Sequence, residues 1–240
     1  MASCYGPGEM GKCLGRAGEE RLAGLLPICW SQPRLTLGSG LTATDCQLEI
    51  DFLQSEEERQ EAAQLMNREI DLGQSWPFEQ QFPDQASFAR YFLSHAAFTV
   101  RLAEPEAVPA ECRAVLPCDI LAVFYIKPNF PGRCSHVCNG GFIVREAARG
   151  NGVGERCGRA FLQLARQLGY TASLFNLVFV TNTVSDRLWR RLGFQLAGRI
   201  PQAARLRGFT HLVDANQYYY DLTTVQTSAS TSGQTTAETD

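Results

Sequence analysis

Between Gly141 and Tyr170 the chain reads GFIVREAARGNGVGERCGRAFLQLARQLGY, and this stretch constrains the fold more than any other. A short apolar run, Phe142 to Val144, gives way to a turn containing Gly150, Gly152 and Gly154. Apolar residues then recur at Val153, Cys157, Phe161, Leu164, Ala165 and Leu168, which fall on one helical face. The order is strand, tight loop, helix. Glycines in the turn let the backbone approach a ligand closely, and the free N–H groups of the helix's first turn favour an anion, so the loop is read as a phosphate cradle.

The flanking sequence supplies the rest of a domain. CQLEIDFL from Cys46 alternates as a strand does, and Ser55 followed by Glu58 has capping-box spacing at the head of a helix. FARYFL reads as a short helix running into a strand near Phe98 to Leu102, and DILAVFYIKPN as a β-branched and aromatic strand ended by Pro128. In SHVCNGGFIV, paired Gly140 and Gly141 inside a strand pattern signal a bulge or a close backbone approach. After the central helix comes the apolar strand SLFNLVFVTN. Asn182 then caps TVSDRLWRRLGF, with Gly193 just beyond that helix. Strands near Gln195 to Ile200 and Ala215 to Leu222 close the domain. The expected class is α+β, or mixed α/β, with a mostly antiparallel sheet and one strand-loop-helix-strand unit.

Three segments follow: an N-terminal arm over 1–45, a globular domain over 46–222, and a Ser/Thr-rich tail over 223–240, too polar to bury and expected to be disordered. With 22 Lys and Arg against 25 Asp and Glu, the net charge is −3 and the pI about 5.7. No global cationic field draws in nucleic acid or an anionic membrane. Nine cysteines, an odd number, with no secretory leader favour free thiols and a cytoplasmic address, and no apolar run approaches the roughly 20 residues that span a bilayer.

Which phosphate the loop holds is decided by what surrounds it. A Walker A loop needs a Lys and a hydroxyl residue that this turn lacks. Gly152, Gly154 and Gly158 imitate a dinucleotide loop, but the acidic ribose partner expected roughly 20 residues on is missing, the interval offering Asn176 and no acid before Asp186. Cys134, His136 and Cys138 form C-x-H-x-C, without the fourth ligand or paired knuckle of a structural zinc site, so no metal is expected.

With Arg149 included, RGNGVG has the form [QR]-x-x-G-x-[GA], and Asn182, Ser185, Trp189, Gly193 and Phe194 supply N-x-x-[AS]-x-x-x-[YW]-x-x-x-G-F. On these two motifs, in this order, the chain resembles the GNAT superfamily of acetyl-CoA-dependent N-acetyltransferases. FYIKPNFPGRCSHVCNGGF, SLFNLVFVTN and GRIPQAARLRGF further resemble the fungal acetyltransferases of L-azetidine-2-carboxylate and related proline analogues, closely over Phe124 to Leu222 and only generically over Cys46 to Val123.

The resemblance implies a GNAT fold with a splayed strand pair and direct acetyl transfer from acetyl-CoA, as a detoxifying reaction. It further implies a small amino or imino acid acceptor such as azetidine-2-carboxylate or cis-4-hydroxyproline, and a homodimer. It places acetyl-CoA on Phe142, Ile143, Val144, Arg149, Gly150, Asn151, Gly152, Val153, Gly154 and Asn182. The acceptor falls to Asn139, Phe142, Asn176 and Trp189, with Asn139 and Asn176 catalytic.

Departures from the family pattern matter. The strand before the loop carries no carboxylate, and the place of the usual acidic Tyr is taken by Trp189, whose indole N–H donates no proton at neutral pH. Two other readings stay open on the sequence: a GNAT enzyme for a protein amine or polyamine, and a non-catalytic CoA-binding sensor. By spacing alone Asn182 is also simply a helix N-cap, and Asn139 a residue that shapes the strand beside Gly140.

Overall fold

The computed structural model describes residues 20–226, apart from Ala23 and Ser39. The expectations for 1–19 and 227–240 fall outside those residues. Eight strands form one sheet: β1 (Ile28–Leu37), β2 (Leu41–Phe52), β3 (Ala96–Leu102), β4 (Ile120–Pro128), β5 (Val137–Val144), β6 (Ala172–Phe179), β7 (Gln195–Ala204) and β8 (Val213–Asp221). Their order across the sheet is β1-β2-β3-β4-β5-β6-β8-β7, and every neighbouring pair is antiparallel except β5 with β6. The helices of eight residues or more are α1 (Glu56–Leu72), α2 (Gln85–Phe92), α3 (Val153–Gln167) and α4 (Thr183–Arg191). This is the expected mixed α/β class.

β4 is buried on both faces, which is why its sequence is nearly continuous apolar rather than alternating. On one face Val123 and Tyr125, with Ile143 of β5, pack under Leu65, Met66 and Ile70 of α1 and Phe88 and Phe92 of α2. On the other, Phe124 and Ile126 pack with Cys157, Phe161 and Leu164 of α3. α1 starts at the capping box read from the sequence: the Ser55 hydroxyl accepts from Glu58 N at 3.1 Å, and Glu58 Oε2 accepts from Ser55 N at 3.2 Å.

One sequence reading changes and a second is narrowed. The segment taken as an arm over 1–45 contains β1 and the start of β2, a hairpin with a nine-pair register from Ile28↔Ile50 to Leu37↔Leu41. Leu35 and Leu37 are fully buried, and Leu22, in a helical turn before the hairpin, is buried with them. β1 escapes a pattern search because as an edge strand it buries only its last turns of alternation, and Pro33, tolerated only at such an edge, breaks the pattern.

The second concerns Gly140 and Gly141, where the sequence left a bulge and a close approach both open. β5 pairs with β4 in unbroken register from Cys138 to Val144, so the glycines serve close approach instead. A Cβ at Gly140 would lie 2.6 Å from Phe161, and one at Gly141 would lie 2.4 Å from Trp76 and 2.5 Å from Tyr125. The register shift falls on β6, between Phe175 and Val178, where Asn176 and Leu177 stand out of the ladder. Among the described residues, no helix is long and apolar enough to cross a membrane.

Candidate active site

β5 and β6 pair only at Val137↔Ala172 and Cys138↔Ser173. Beyond Cys138 the second edge of β5 has no partner strand, while β6 turns away to pair with β8. The two strands form a V that opens toward the loop at 149–152. Strand edges with unpaired N–H and C=O groups require another partner, so the V is built to accept an extended polar chain.

At the mouth of the V the backbone is arranged for an anion. Gly150 and Gly152 hold φ of +84° and +76°, the left-handed region that favours glycine, and no atom lies within 4 Å of where their Cβ atoms would be. α3 begins at Gly152 without a side-chain cap. Among the described residues the backbone N–H groups from Gly150 to Glu155 donate to no protein atom, an uncapped set of donors at the positive end of a 15-residue helix. Its charge and donors, on Gly150, Gly152, Val153 and Gly154 among others, are of the kind a pyrophosphate needs.

Two side chains expected on the ligand are engaged elsewhere. The Asn151 amide pairs with the backbone of Thr36 in both directions: Thr36 N donates to Oδ1 at 2.8 Å, and Nδ2 donates to Thr36 O at 2.7 Å. It thereby acts as a one-residue strand against β1. Nδ2 also reaches Ala148 O at 2.9 Å. Arg149 donates to Val144 O at 3.2 Å and to Glu69 of α1, leaving its guanidinium half exposed. These contacts fix the loop from both sides rather than reach toward a ligand.

Along β5 side chains alternate between faces, so Cys138, Gly140, Phe142 and Val144 face α3, and Asn139, Gly141 and Ile143 face α1 and α2. This divides the expected site. Phe142 lies against Phe124, Phe161, Phe175 and Trp189, with ring centroids 5.0 to 5.9 Å apart, and Trp189 is 5% exposed. Trp189 is a core residue beneath the V and Phe142 is half-buried against the same cluster; the structure does not bring their side chains together with Asn139. Ile143 likewise turns its side chain into the core under α1, and Val144 packs toward Gly154. Gly158, the third glycine of the dinucleotide-like pattern, is a packing residue: its Cβ would meet Leu192 at 2.4 Å. Asn182 caps α4, its Oδ1 accepting from Ser185 N at 3.1 Å, with no partner for Nδ2 among the described residues.

Asn139 and Asn176 are brought together, through a residue the sequence reading missed. Asn129, just after β4, forms a two-way amide pair with Asn176, donating to its Oδ1 at 3.0 Å and accepting from its Nδ2 at 2.5 Å; it also accepts from Asn139 Nδ2 at 3.2 Å. Asn129 is held in turn by its backbone N–H, which donates to Val137 O at 2.8 Å. The triad satisfies one amide with another and leaves Asn139 Oδ1 and one N–H on each of Asn139 and Asn176 for a further partner. The half-buried amide inside the apolar run of β6 is thereby explained.

Beside the triad stands an aromatic wall from the α1–α2 connection, α2 and β4. Trp76, Phe78, Phe82, Tyr91 and Tyr125 meet at centroid distances of 5.0 to 6.5 Å, and the Tyr91 and Tyr125 hydroxyls share a hydrogen bond of 3.0 Å. Burial raises both phenols, Tyr125 well above the usual tyrosine range, so neither is a ready acid at neutral pH. Lys127 pairs across the sheet with Asn139. Its Nζ sits 3.6 Å from the Tyr91 ring centroid and 4.3 Å from that of Tyr125, and donates to Tyr91 O at 3.4 Å. Burial lowers the Lys127 ammonium to about 7, and burial followed by the nearby Lys127 charge lowers His95 to about 4.

The two thiols of the strand-loop-helix unit offer no nucleophile. Cys138 and Cys157 are fully buried, and burial pushes each up to about 12. Cys134 and His136 are exposed while Cys138 is buried, and no group of three metal-ligating side chains converges among the described residues.

The family model described as acetyltransferase (GNAT) matches residues 72–194, from the end of α1 to the start of β7. Over 160 residues the chain is 42% identical to the N-acetyltransferase aca1 of Schizosaccharomyces pombe, covering 65% of this chain and 76% of that protein. Among solved structures, a GCN5-related N-acetyltransferase from Kribbella flavida superposes with a TM-score of 0.62 at 21% identity, over 72% of this chain and 97% of that one. A phosphinothricin acetyltransferase from Sinorhizobium meliloti, in complex with acetyl-CoA, gives 0.60 at 13% identity, over 72% and 88%.

Proposed function

The chain belongs to the acetyltransferase (GNAT) family and is an N-acetyltransferase that takes its acetyl group from acetyl-CoA; on that premise we propose that its acceptor is a small amino or imino acid of the proline-analogue class, such as azetidine-2-carboxylate or cis-4-hydroxyproline. The observation that carries the acceptor class is the Asn129, Asn139 and Asn176 triad beside the V. It presents donors and an acceptor but no charge of its own. That set suits a compact ligand with an amine and a carboxylate in close proximity. A polyamine would require acidic residues here, and the wall beside the amides is aromatic.

The uncapped N–H groups at the head of α3 and the open edge of β5 would hold the donor, which supplies an activated thioester. Asn139 and Asn176 orient the acceptor nitrogen toward the V. Held in place by Asn129, their amide N–H groups also stand ready to donate to charge developing on an acyl oxygen, which is where fixed dipoles contribute most. No carboxylate base is supplied by β5, and the amides cannot remove a proton. The amine therefore enters neutral, or loses its proton to water in the half-exposed cleft. Trp189, buried on the far face, takes no part as an acid.

The test is CoA release by purified protein with acetyl-CoA and each of azetidine-2-carboxylate, proline, cis-4-hydroxyproline, spermidine and a Lys peptide. Turnover confined to the cyclic imino acids supports the acceptor class. Turnover of spermidine or the peptide alone overturns it, and acetyl-CoA binding with no turnover of any acceptor points to a sensor.

A further inference from the structure

We propose that Lys127 is the counter-charge for an anionic acceptor: its ammonium, on the wall opposite Asn139, pairs with the substrate's carboxylate and makes the enzyme selective for amino acids over amines that lack one. This rests on the small amino or imino acid reading and assigns it a specificity residue.

Three observations converge. First, Lys127 is a cation without an anion. Every ion pair among the described residues is made by an arginine, and the nearest formal compensation for Lys127 is the Tyr91 carbonyl, with the faces of two tyrosine rings. Ring faces and a carbonyl at the end of α2 stabilise an ammonium only in part, so a buried charge of this kind gains more than a surface one when a carboxylate arrives.

Second, its position is set by the sheet rather than by a flexible loop. Lys127 and Asn139 are directly paired residues of β4 and β5, whose side chains project together on the face that carries Gly141, Trp76 and the tyrosines. A ligand held by the amides is therefore within reach of the ammonium.

Third, the titratable side chains that meet Lys127 among the described residues carry no charge. The titratable groups facing Lys127 are Tyr125 of β4, Tyr91 of α2 and His95 just after α2. Both phenols are raised and His95 is lowered, so all three are neutral at pH 7. With Lys127 itself lowered to about 7, a bound carboxylate draws it back to the charged form, and acid binding takes up a proton near neutrality.

The experiment compares azetidine-2-carboxylate and proline with their carboxamides as acceptors, in wild type, K127M and K127Q, with melting and acetyl-CoA binding as controls on folding. Wild type should favour acid over amide by about 10- to 100-fold in kcat/KM, the range of one charge-assisted hydrogen bond, and in both variants this ratio should fall toward one, chiefly through KM for the acid. A ratio unchanged by the substitutions overturns the role of Lys127 while leaving the acceptor class intact. So does a wild type that acetylates acid and amide equally.

If wild type acetylates none of these acceptors, the acceptor reading fails by itself and Lys127 is judged by binding. The chain has two lysines, Lys12 and Lys127, so protein labelled with 13C-lysine gives two assignable Cε signals. In the presence of CoA, movement of the Lys127 signal with L-proline and not with prolinamide supports the anchor. No movement with either overturns it.

Discussion

Asn129 shows how one residue determines what others can do. The sequence reading placed Asn139 and Asn176 through the family resemblance, and Asn176 also interrupts an apolar strand, but Asn129 follows Pro128 in a turn where any polar residue is ordinary. Its importance arises only when β4, β5 and β6 come together. Removing it leaves two half-buried amides without their mutual partner and free to rotate. Asn129→Ala should lower kcat/KM by about 10- to 100-fold with acetyl-CoA affinity retained, and Asn176→Ala by a similar factor. The double variant should be little worse than either alone, because groups acting as a unit are not additive. CoA-release kinetics with direct acetyl-CoA titration checks this, and additive losses would show that the amides act separately.

The same residue scale governs pH. Lys127 at about 7 against 10.5 unfolded, and His95 at about 4 against 6.5, both favour the neutral form on folding. As pH falls from 10.5 to 7, the unfolded chain takes up the proton that folded Lys127 does not, so stability declines through that window; His95 extends the decline from 6.5 to 4. Denaturant melts should show K127M flattening the upper window and His95→Gln the lower one. Slopes unchanged by either substitution would mean that neither side chain is desolvated.

At the scale of elements, strands and helices were legible where their signal is local. The Ser55 box, the apolar face of α3, the Asn182 cap and the continuous apolar run of β4 all depend on residues a few positions apart. What was not legible depends on pairing between distant segments. Trp76 lies in the connection between α1 and α2, and nothing in its neighbours says that its ring will rest on Gly141. Phe142 and Trp189 belong to the family motifs, and position within a motif does not tell which face of a strand or helix a side chain occupies. The paired glycines were recognised as special, but the reason is contact from both faces of β5.

That contact predicts asymmetric effects. Gly140→Ala presses on Phe161 in the core and should cost about 1–3 kcal/mol, or roughly 3–10 °C in Tm. Gly141→Ala presses on Trp76 and Tyr125, in the aromatic wall of the acceptor side, and should raise KM for the acceptor as well as lower Tm. Calorimetry with acceptor kinetics separates the two. Equal effects on acceptor KM would mean that the wall does not contact the acceptor.

Across the whole molecule, the hairpin read from the sequence as an arm grips the glycine loop at 149–152. Its tip and edge reach the phosphate loop by three short bonds: Gly38 N to Ala147 O at 2.8 Å, and the two-way pairing of Thr36 with the Asn151 amide. On the loop's other side Arg149 reaches Glu69 of α1, and Arg145, 4% exposed, ties the end of β5 to Glu61 at 2.8 Å and to Ile120 O at 2.7 Å. The loop that leaves its own N–H groups free is thus held by the hairpin on one side and by α1 on the other, which preorganises the donors without occupying them. If preorganisation is the role of Asn151, Asn151→Ala should leave kcat at saturating acetyl-CoA nearly unchanged. Its KM for acetyl-CoA should rise by about 10-fold, as the loop must then be ordered at the moment of binding. Thermal shift gives a second reading: acetyl-CoA at about 100 times its Kd stabilises the wild type by about 2.7 kcal/mol, and the variant at the same concentration should gain about half of that. A fall in kcat with KM unmoved would instead place the Asn151 amide in the chemical step, and the hairpin's grip on the loop would then be a matter of folding alone.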